Sequence, residues 1–590
     1  MFKNLFNTLS FKLNTQIFFL FLGNIFLSFL EIVSIGSIPI FLSILLEPNH
    51  NIVSKINFEI VQLFLQYFNS LDELLRIKYL LFIIFAIFLI KNILYITVNF
   101  FTFKITKYSK IYLSSKLFRY YLNSPYIFFL EKTTTSLLRN IELVVDIPHI
   151  INVTFNCLKD LLLILGLVFI IFLTNKIVGS AIVIVLLFFS VLILSKSIRI
   201  SKKKGLKTSS LIEEKYSVIS NFFNSISEIK ILDKKNIFFD EFNKKISQYE
   251  SVHQDISMMN MLNRPLFEML SIVGVCTSVF YLFFYNLSIQ QIIPLMSLVV
   301  LTMIRILPSV SSFFSSIITI SFKYEHMSEV LNQLNDKNKK YTNHLNTEKK
   351  IQFKSSLELK DIYYTYPDSK IPNISSINLK IHTNDKIAII GRNGSGKSTL
   401  VNIITGLISF SKGKIILNDE HSLEPGNNFI LSNAYLAKQD LFLLNKNVFH
   451  NVAFCISEEN INKEKVIDCL KQVHLFDLFY KQKNIDKPIG DRGAKISGGQ
   501  KQLLNLARVL YAKPNFLILD EGTSNLDYKM EEMYFSILNK LNITTLIIAH
   551  NKNILKYCNK IILIENGKII DQGNVSYFEK KYDNLTKYIN

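Results

Sequence analysis

Hydrophobic residues dominate six long stretches in the first 320 residues of the chain. They lie near 17–46, 79–103, 158–174, 177–197, 265–285 and 290–320. A helix that spans a bilayer needs about 20 mostly apolar residues, so each stretch is long enough to cross once or nearly so. The pattern predicts an α-helical transmembrane domain of six spans over residues 1–321.

The pattern changes after a polar segment, 322–356, which we interpret as a linker. Beyond it, short apolar runs alternate with stretches of helical character. The runs IAIIG, NFLILDE and TTLIIAH are typical of buried parallel strands. The alternation predicts an α/β domain over residues 357–590.

The formal net charge is +20, and the positions of the lysines matter more than the total. Lysine is concentrated in the connections 104–140 and 198–245. Positive residues gather on the cytoplasmic side of a membrane, so we expect the N-terminus, both connections and the α/β domain there. The outer connection 47–78 contains INFEIVQLFLQYF, which fits a helix on the outer leaflet or an ordinary ordered loop.

Cysteine spacing, hydropathy and charge argue against several other classes of protein. The five cysteines form no C-x-x-C pair, so neither a disulfide framework nor a zinc site is indicated. The polar, basic start runs into an apolar stretch far longer than that of a signal peptide, which predicts an uncleaved membrane anchor. A basic chain can bind nucleic acid, but the long apolar spans argue against that partner.

The clearest chemical motif is Gly391-Arg-Asn-Gly-Ser-Gly-Lys-Ser398, which follows the apolar run Lys386–Ile390 and precedes a helical stretch. It fits the phosphate-binding loop G-x-x-x-x-G-K-[ST] in the required context. Glycines let backbone N–H groups approach phosphate, and the helix N-terminus adds its positive dipole end. Lys397 is placed to reach the β- and γ-phosphates, and Ser398 to hold Mg²⁺.

A second motif, Phe516-Leu-Ile-Leu-Asp-Glu521, is an apolar strand that ends in two carboxylates. In a protein with a phosphate-binding loop, Asp520 is placed to bind Mg²⁺. Glu521 is placed to polarise the attacking water.

Ile496-Ser-Gly-Gly-Gln500 is similar to the signature motif of ATP-binding cassette proteins, with Ile in the usual place of Leu. Tyr366 resembles the aromatic residue that stacks on adenine, Gln439 the Q-loop glutamine, Ser524-Asn-Leu-Asp527 the D-loop and His550 the switch histidine. Seven spaced elements of that family occur in order over about 355–580.

The resemblance implies ATP and Mg²⁺ as cofactors and assigns the site residues. It makes Glu521, His550 and Lys397 catalytic, and Ser398, Gln439 and Asp520 the metal site. The ATP-binding residues are Tyr366, Gly391, Asn393, Gly394, Ser395, Gly396, Lys397, Ser398, Thr399, Gln439, Ser497, Gly498, Gly499 and Gln500.

In this family, Ser497 and the Gly498-Gly499 backbone would contact the γ-phosphate held by a partner cassette. The chain contains one cassette, so the resemblance implies a dimer. No element is degenerate, which favours a homodimer over a heterodimer.

The order of domains is similar to exporter-type half-transporters, where two short cytoplasmic helices pass cassette motion to the membrane helices. The segments SPYIFFLEKTTTSLLRNIE and EEKYSVISNFFNSISEIKIL resemble these two helices. Each also fits an ordinary amphipathic connector.

The membrane spans contain three ionisable residues that are candidates for contact with cargo: Glu31, Arg264 and Arg305. An arginine binds phosphate bidentately. Alternatively, Arg264 extends to the membrane interface, and Glu31 and Arg305 pair with other polar groups.

The stretches FLEIVSIGSIPIFLSIL and MIRILPSVSSFFSSI resemble the first and sixth spans of the lipid-linked oligosaccharide flippase group. That resemblance implies ATP-driven export or flipping of a lipid-linked, saccharide-bearing substrate across a bacterial plasma membrane, with membrane lipid as a further partner. An exporter of peptides or hydrophobic small molecules, and a membrane ATPase sensor without cargo, remain alternatives.

Overall fold

The computed structural model describes residues 2–46, 73–174, 176–284, 289–335, 349–367, 369–425, 429–438, 441–481, 485–520, 526–549 and 551–582. The chain divides into two compact units. One comprises Met1–Asn123 and Lys132–Asn338, and the other Ser124–Glu131 and Lys339–Asn590.

The first unit, called the membrane unit below, is helical, and the described residues of each predicted apolar stretch lie within a long helix. The short N-terminal helix is α1, Phe2–Thr8. The long helices are α2 (Phe11–Leu46), α3 (Glu73–Leu122), α6 (Ile147–Thr174), α7 (Lys176–Asn224), α9 (Lys235–Phe284) and α10 (Ile289–His326). The short helices of this part of the sequence are α4 (Tyr126–Glu131), which belongs to the second unit, α5 (Thr134–Leu143), α8 (Ile226–Ile231) and α11 (Ser328–Asn335).

Within the described residues, four helical segments are long and apolar enough to cross a membrane: Phe11–Ile38, Ile77–Leu122, Thr134–Phe172 and Thr302–His326. They make the chain a multi-pass membrane protein. The predicted outer helix INFEIVQLFLQYF lies outside the described residues.

The Lys-rich connections 104–140 and 198–245 are largely helical continuations of the spans rather than loops. Helix α3 has 50 residues and is therefore about 75 Å long, well over the ~30 Å hydrocarbon core of a bilayer. These helices continue beyond the apolar spans for two reasons. Lysine, glutamate and leucine favour helix, and apolar residues such as Leu117, Leu211 and Val252 are buried between helices.

The segment 322–356, which we interpreted as a linker, is folded in both of its described parts. Helix α11 buries Val330, Leu331 and Leu334. Its Glu329 pairs with Lys132 at 3.1 Å and with the buried guanidinium of Arg139. Residues 328–335 are therefore an amphipathic helix, and residues 336–348 of the predicted linker lie outside the described residues.

The second unit is an α/β domain, as predicted. Its central sheet consists, in spatial order, of Lys568–Gly573 (β12), Lys560–Glu565 (β11), Lys386–Ile390 (β4), Thr544–Ile548 (β10), Phe516–Asp520 (β9) and Ala434–Ala437 (β8). Within this sheet, only β12 runs antiparallel to its neighbour.

A second, antiparallel sheet consists, in spatial order, of Ile374–His382 (β3), Ser356–Tyr364 (β2), Lys412–Leu417 (β5) and His421–Leu423 (β6). Lys349–Gln352 (β1) and Phe429–Ser432 (β7) form a parallel pair. The helices are α12 (Lys397–Ile404), α13 (Val448–Val452), α14 (Lys463–Gln472), α15 (Gly498–Ala512), α16 (Tyr528–Asn539) and α17 (Val575–Lys581).

Gly205 marks a point where α7 and α10 approach each other closely. A Cβ added there would lie 2.3 Å from the backbone oxygen of Phe322. Backbone cannot move aside as a flexible side chain can, so the contact requires glycine.

We expect Gly205→Ala to force α7 and α10 apart and to destabilise the fold by about 1–3 kcal/mol, the usual effect of overpacking. Thermal unfolding of the purified protein in lipid nanodiscs measures this. The matched control is Gly23→Ala, where the new Cβ meets only the terminal Cγ2 of Val98 at 3.3 Å. Equal melting temperatures for the two variants would contradict the argument.

Candidate functional site: the phosphate-binding loop and its surroundings

The phosphate-binding loop connects the central strand β4 to helix α12, as the sequence predicts. A Cβ at Gly391 would lie 2.2 Å from the backbone oxygen of Ile564 on the neighbouring strand. Gly396 has a φ of 104°, in the left-handed region. Both positions therefore require glycine, for close approach in one case and for backbone conformation in the other.

Lys397 is buried at the centre of this loop, with 7% of its surface exposed. Its ammonium donates hydrogen bonds to the backbone oxygens of Gly391, at 2.6 Å, and Arg392, at 3.0 Å. The loop thus holds the cation against the N-terminus of α12, where the helix dipole also favours an anion.

The remaining loop residues fit a polyphosphate. The Oγ atom of Ser395 is buried and has no hydrogen-bond partner among the described residues. Asn393, Gly394 and Ser398 are exposed at the mouth of the loop, and Thr399 is half-buried in the first turn of α12. An unpartnered hydroxyl, a buried ammonium and the first-turn backbone N–H groups together suit phosphate oxygens.

Asp520 lies at the same edge of the sheet. It is the last residue of β9 and pairs in register with Ile548 at the end of β10, and β10 lies beside β4. The carboxyl ends of parallel strands form the ligand-binding edge of such sheets. Of the other predicted residues here, Glu521, Gln439 and His550 lie outside the described residues.

Tyr366, the predicted adenine-stacking residue, follows strand β2. Its ring is half-buried and meets the ring of Tyr364 edge-on, with centroids 5.0 Å apart. Its backbone N–H donates to the side-chain oxygen of Asn373 at 3.1 Å, which fixes the backbone from which the ring projects.

The signature motif forms the N-terminus of α15. Ser497 and Gln500 make a reciprocal capping box, in which each side chain accepts a hydrogen bond from the other residue's backbone N–H. Ser497 and Gly498 are exposed and Gly499 is half-buried. This 15-residue helix therefore presents its positive end to solvent.

Sequence reasoning missed a buried polar node in the same α/β unit, formed by Asn451 and Arg508. Asn451 is 0% exposed. Its side chain accepts from the N–H of Leu444 and donates to the oxygens of Leu444, Lys446 and Asn447. No motif signals these residues, because Asn451 bonds a local turn that has no sequence signature and Arg508 reaches it from 57 residues away.

Arg508 completes the node from helix α15. Its guanidinium donates to the backbone oxygens of Asn451 and, at 3.1 Å, Phe442. Burial lowers the pKa of Arg508 from its usual value. The node therefore links helix α15, which begins at the signature motif, to the segment 442–447 through hydrogen bonds.

In the membrane unit, the candidate cargo residues are all paired. Arg305 forms an ion pair with Glu31, which is 6% exposed. Arg264 is exposed and pairs with Glu268, one helical turn along α9, at 2.9 Å. The structure thus brings Glu31 and Arg305 together. Pairing with another polar group was the alternative to cargo contact that the sequence left open for these two residues.

An apolar cavity of about 500 Å³ lies between α1, α2 and α6. Its walls include Phe6, Ile17, Phe21 and Phe155, with Asn14 as one of its few polar residues. This volume is within the usual range of ligand pockets.

Comparison with known proteins gives one family match and many relatives. Residues 374–524 match the family described as ABC transporter. The ATP-dependent lipid A-core flippase of Salmonella typhimurium is 35% identical over 224 residues, which are 37% of this chain and 38% of that protein. The flippase of the same name from Escherichia coli K12 is 34% identical over 221 residues, with the same coverage. The matches thus span well under half the length of these relatives.

The fold extends further than the sequence match. A solved structure described as a bacterial Atm1-family ABC exporter with ATP bound superposes with a TM-score of 0.75. The alignment covers 96% of this chain and 97% of that one, at 16% sequence identity.

The chain therefore contains a segment, residues 374–524, that is similar to ABC transporters. Its fold, in which a helical unit is followed by an α/β unit, is similar to that of an ABC exporter. The fold class predicted from the sequence is therefore confirmed.

We expect Asn451→Ala to destabilise the cassette by about 1–3 kcal/mol, because several buried backbone groups lose their partner. Thermal unfolding of the full chain measures this. Asn460→Ala is the control, since Asn460 is exposed and its side chain bonds Ser457; a surface change of this kind is expected to cost less than about 0.5 kcal/mol. An Asn451→Ala protein as stable as the control would show that the node does not hold the segment 442–447.

Proposed function

We propose that this protein is an ATP-driven exporter that moves a lipid-linked, saccharide-bearing substrate across the bacterial plasma membrane. The observation that carries the proposal is the phosphate-binding loop, with Lys397 buried against the N-terminus of α12. The flippases among its relatives support the lipid part of the proposal, and the apolar cavity in the membrane unit is compatible with it.

Within the cassette, Lys397 would pair with the β- and γ-phosphates, and Tyr366 would stack on the adenine. Ser398, Gln439 and Asp520 would hold Mg²⁺, which neutralises phosphate charge when it is bound. Glu521 would orient the attacking water, and His550 would contact the γ-phosphate. Phosphoryl transfer needs mainly positioning and charge neutralisation, and these residues can supply both.

The exposed end of α15 supports a composite site. Ser497 and Gly498 lie on the surface of the chain at the positive end of a helix. In a homodimer this end would close over ATP held by the other copy. ATP would then favour the closed pair of cassettes, and hydrolysis would release it, so that the membrane helices alternate between two states.

The short helix α4 supports coupling between cassette and membrane helices. It lies in the membrane half of the sequence, yet it belongs to the same compact unit as the cassette. Phe128 is 3% exposed, and the ammonium of Lys438 lies 5.4 Å from the centre of the Tyr126 ring.

The N-terminus and the cassette would both face the cytoplasm.

Reconstitution in liposomes tests transport and cargo class together. We expect ATP-dependent movement of a fluorescent polyprenyl-pyrophosphate-linked sugar, lost in Glu521→Gln. A lipid A-type glycolipid, a peptide and a hydrophobic dye form parallel arms. Movement of only the peptide or the dye would reject the lipid-linked substrate. ATP hydrolysis with no stimulation by any of these compounds would favour the sensor alternative.

A pair of variants tests the homodimer. Lys397→Ala removes the phosphate contact and Ser497→Ala removes the signature contact, so each variant alone should lose at least about 100-fold in ATP hydrolysis. When the two chains are co-expressed in equal amounts and co-purified, they should regain about a quarter of the wild-type rate. Half of randomly formed dimers are mixed, and each mixed dimer has one intact site of two. No recovery in co-expressed, co-purified chains would argue against a composite site between copies.

A further inference from the structure

The loop that carries Tyr366 is held at its start by one residue, Asn373, which precedes strand β3. The backbone N–H of Asn373 donates to the backbone oxygen of Tyr364 at 2.9 Å. Its side-chain oxygen accepts from the backbone N–H of Tyr366 at 3.1 Å. Asn373 therefore fixes the main chain on both sides of Thr365, just before the residue whose ring is predicted to stack on adenine.

A tight turn, Asn566-Gly567, joins strands β11 and β12. Glu565 pairs with Lys568 across the turn, and φ is 47° at Asn566 and 75° at Gly567. Two positive φ angles are typical of a type I′ hairpin turn, for which Asn-Gly is a preferred sequence. Asn566 is exposed, whereas Gly567 is buried. The hairpin therefore ends with its glycine packed inside the domain.

Gly567 forms hydrogen bonds with both the phosphate-binding loop and β3. Its backbone N–H donates to the backbone oxygen of Ser395, at 2.9 Å. Its backbone oxygen accepts from the N–H of Ser375, at 2.8 Å. Hydrogen bonds thus connect Tyr366 to Asn373 at the start of β3, and β3 through Gly567 to the phosphate-binding loop.

The same segments are also in close backbone contact. A Cβ on Gly567 would lie 2.5 Å from the backbone oxygen of Asn373, and a Cβ on Gly396 would lie 2.9 Å from the same atom. A backbone oxygen cannot move aside as the end of a flexible side chain can, so this approach requires glycine at both positions. The backbone of Asn373 is therefore fixed against the turn and the phosphate-binding loop together.

ATP would be held at two ends by separate parts of the chain, the adenine by Tyr366 and the phosphates by the loop around Lys397. A ligand held in this way binds best when the two holding groups are already correctly separated in the free protein, because less ordering is then required on binding. The loop positions Lys397 through its own backbone oxygens. The position of Tyr366 relative to that loop depends on the contacts of Asn373.

We propose that Asn373 is a positioning residue for ATP. Together with the turn Asn566-Gly567, it sets the ring of Tyr366 at the distance from the phosphate-binding loop that one ATP molecule needs. This inference rests on the proposed ATP site and adds to it a residue that lies outside the motifs of the sequence. Asn373 acts through Tyr366, so its loss weakens the hold on adenine and leaves the hold on the phosphates unchanged.

Binding of ATP and of inorganic tripolyphosphate to the full-length protein in lipid nanodiscs tests this role. Mg²⁺ is omitted, so that ATP is not hydrolysed. Asn373→Ala should weaken ATP binding by about 3–10-fold, the size expected for one lost neutral hydrogen bond. Tripolyphosphate binding should not change, because this anion has no base to place. With Mg²⁺ present, the KM for ATP should rise by the same factor while kcat stays constant.

Two further variants separate positioning from a general loss of stability. Asn378→Ala is the matched control, because Asn378 lies further along β3 and its side chain also accepts from a backbone N–H, that of Asp361, at 3.0 Å. It should leave both affinities unchanged. Asn373→Asp retains an acceptor for the N–H of Tyr366. Its added charge acts on both anions, so the ratio of the two affinities should return to that of the wild type.

Gly567→Ala tests the turn. The new Cβ would press on the backbone of Asn373, so ATP affinity should fall more than tripolyphosphate affinity. Gly490→Ala is its control, since φ there is 85° and a new Cβ would come no closer to another backbone atom than 3.4 Å, at the nitrogen of Ala494. This control has similar backbone strain without the clash, and the ratio should not change.

The outcomes distinguish this inference from the proposed function. Equal losses of ATP and tripolyphosphate affinity in Asn373→Ala, or no loss of either, would overturn the positioning role and leave the ATP site in place. A wild type that binds neither compound would overturn both.

Discussion

The alignment of strands β4, β10 and β9 is the constraint on which the candidate nucleotide site depends. Their parallel pairing brings the ends of three separate sequence segments to one edge of the sheet. At that edge, the backbone of Ile564 on β11 approaches Gly391 so closely that no side chain fits. Lys397 is then held by the loop's own carbonyl groups, so the cation is positioned by backbone geometry.

A second constraint governs the membrane unit, where buried charge must be balanced locally. Arg139 is 4% exposed and pairs with Glu213 and Glu329 from two other helices. Arg305 pairs with Glu31. These pairs hold together helices that are distant in sequence. Separating the two partners would leave an unpaired charge in a low-dielectric environment, which is unfavourable. The pairing also means that an anionic headgroup would have to compete with Glu31 for Arg305.

Much of the fold was predictable, because the hydropathy patterns of membrane-spanning helices and of buried strands differ clearly. Apolar stretches of membrane length predict helices, and short apolar runs before Gly391 and through Asp520 predict parallel strands. The ends of the helices were not predictable. Hydropathy marks where the apolar, membrane-spanning part of a helix ends. Helices α3 and α7 continue beyond that point, because residues in their more polar parts also pack against neighbouring helices. For the same reason, α11 resembles a linker in the sequence.

The sequence by itself predicted the fold class and the residues of the candidate nucleotide site, because those predictions depend on residue types at short, fixed spacings. The loop from Gly391 to Ser398 and the cap at Ser497 are local structures of this kind. Tertiary structure alone decided that Arg305 pairs with Glu31 and that Arg508 bonds the backbone of Phe442 and Asn451. These contacts join segments far apart in the chain, so no local pattern in the sequence records them.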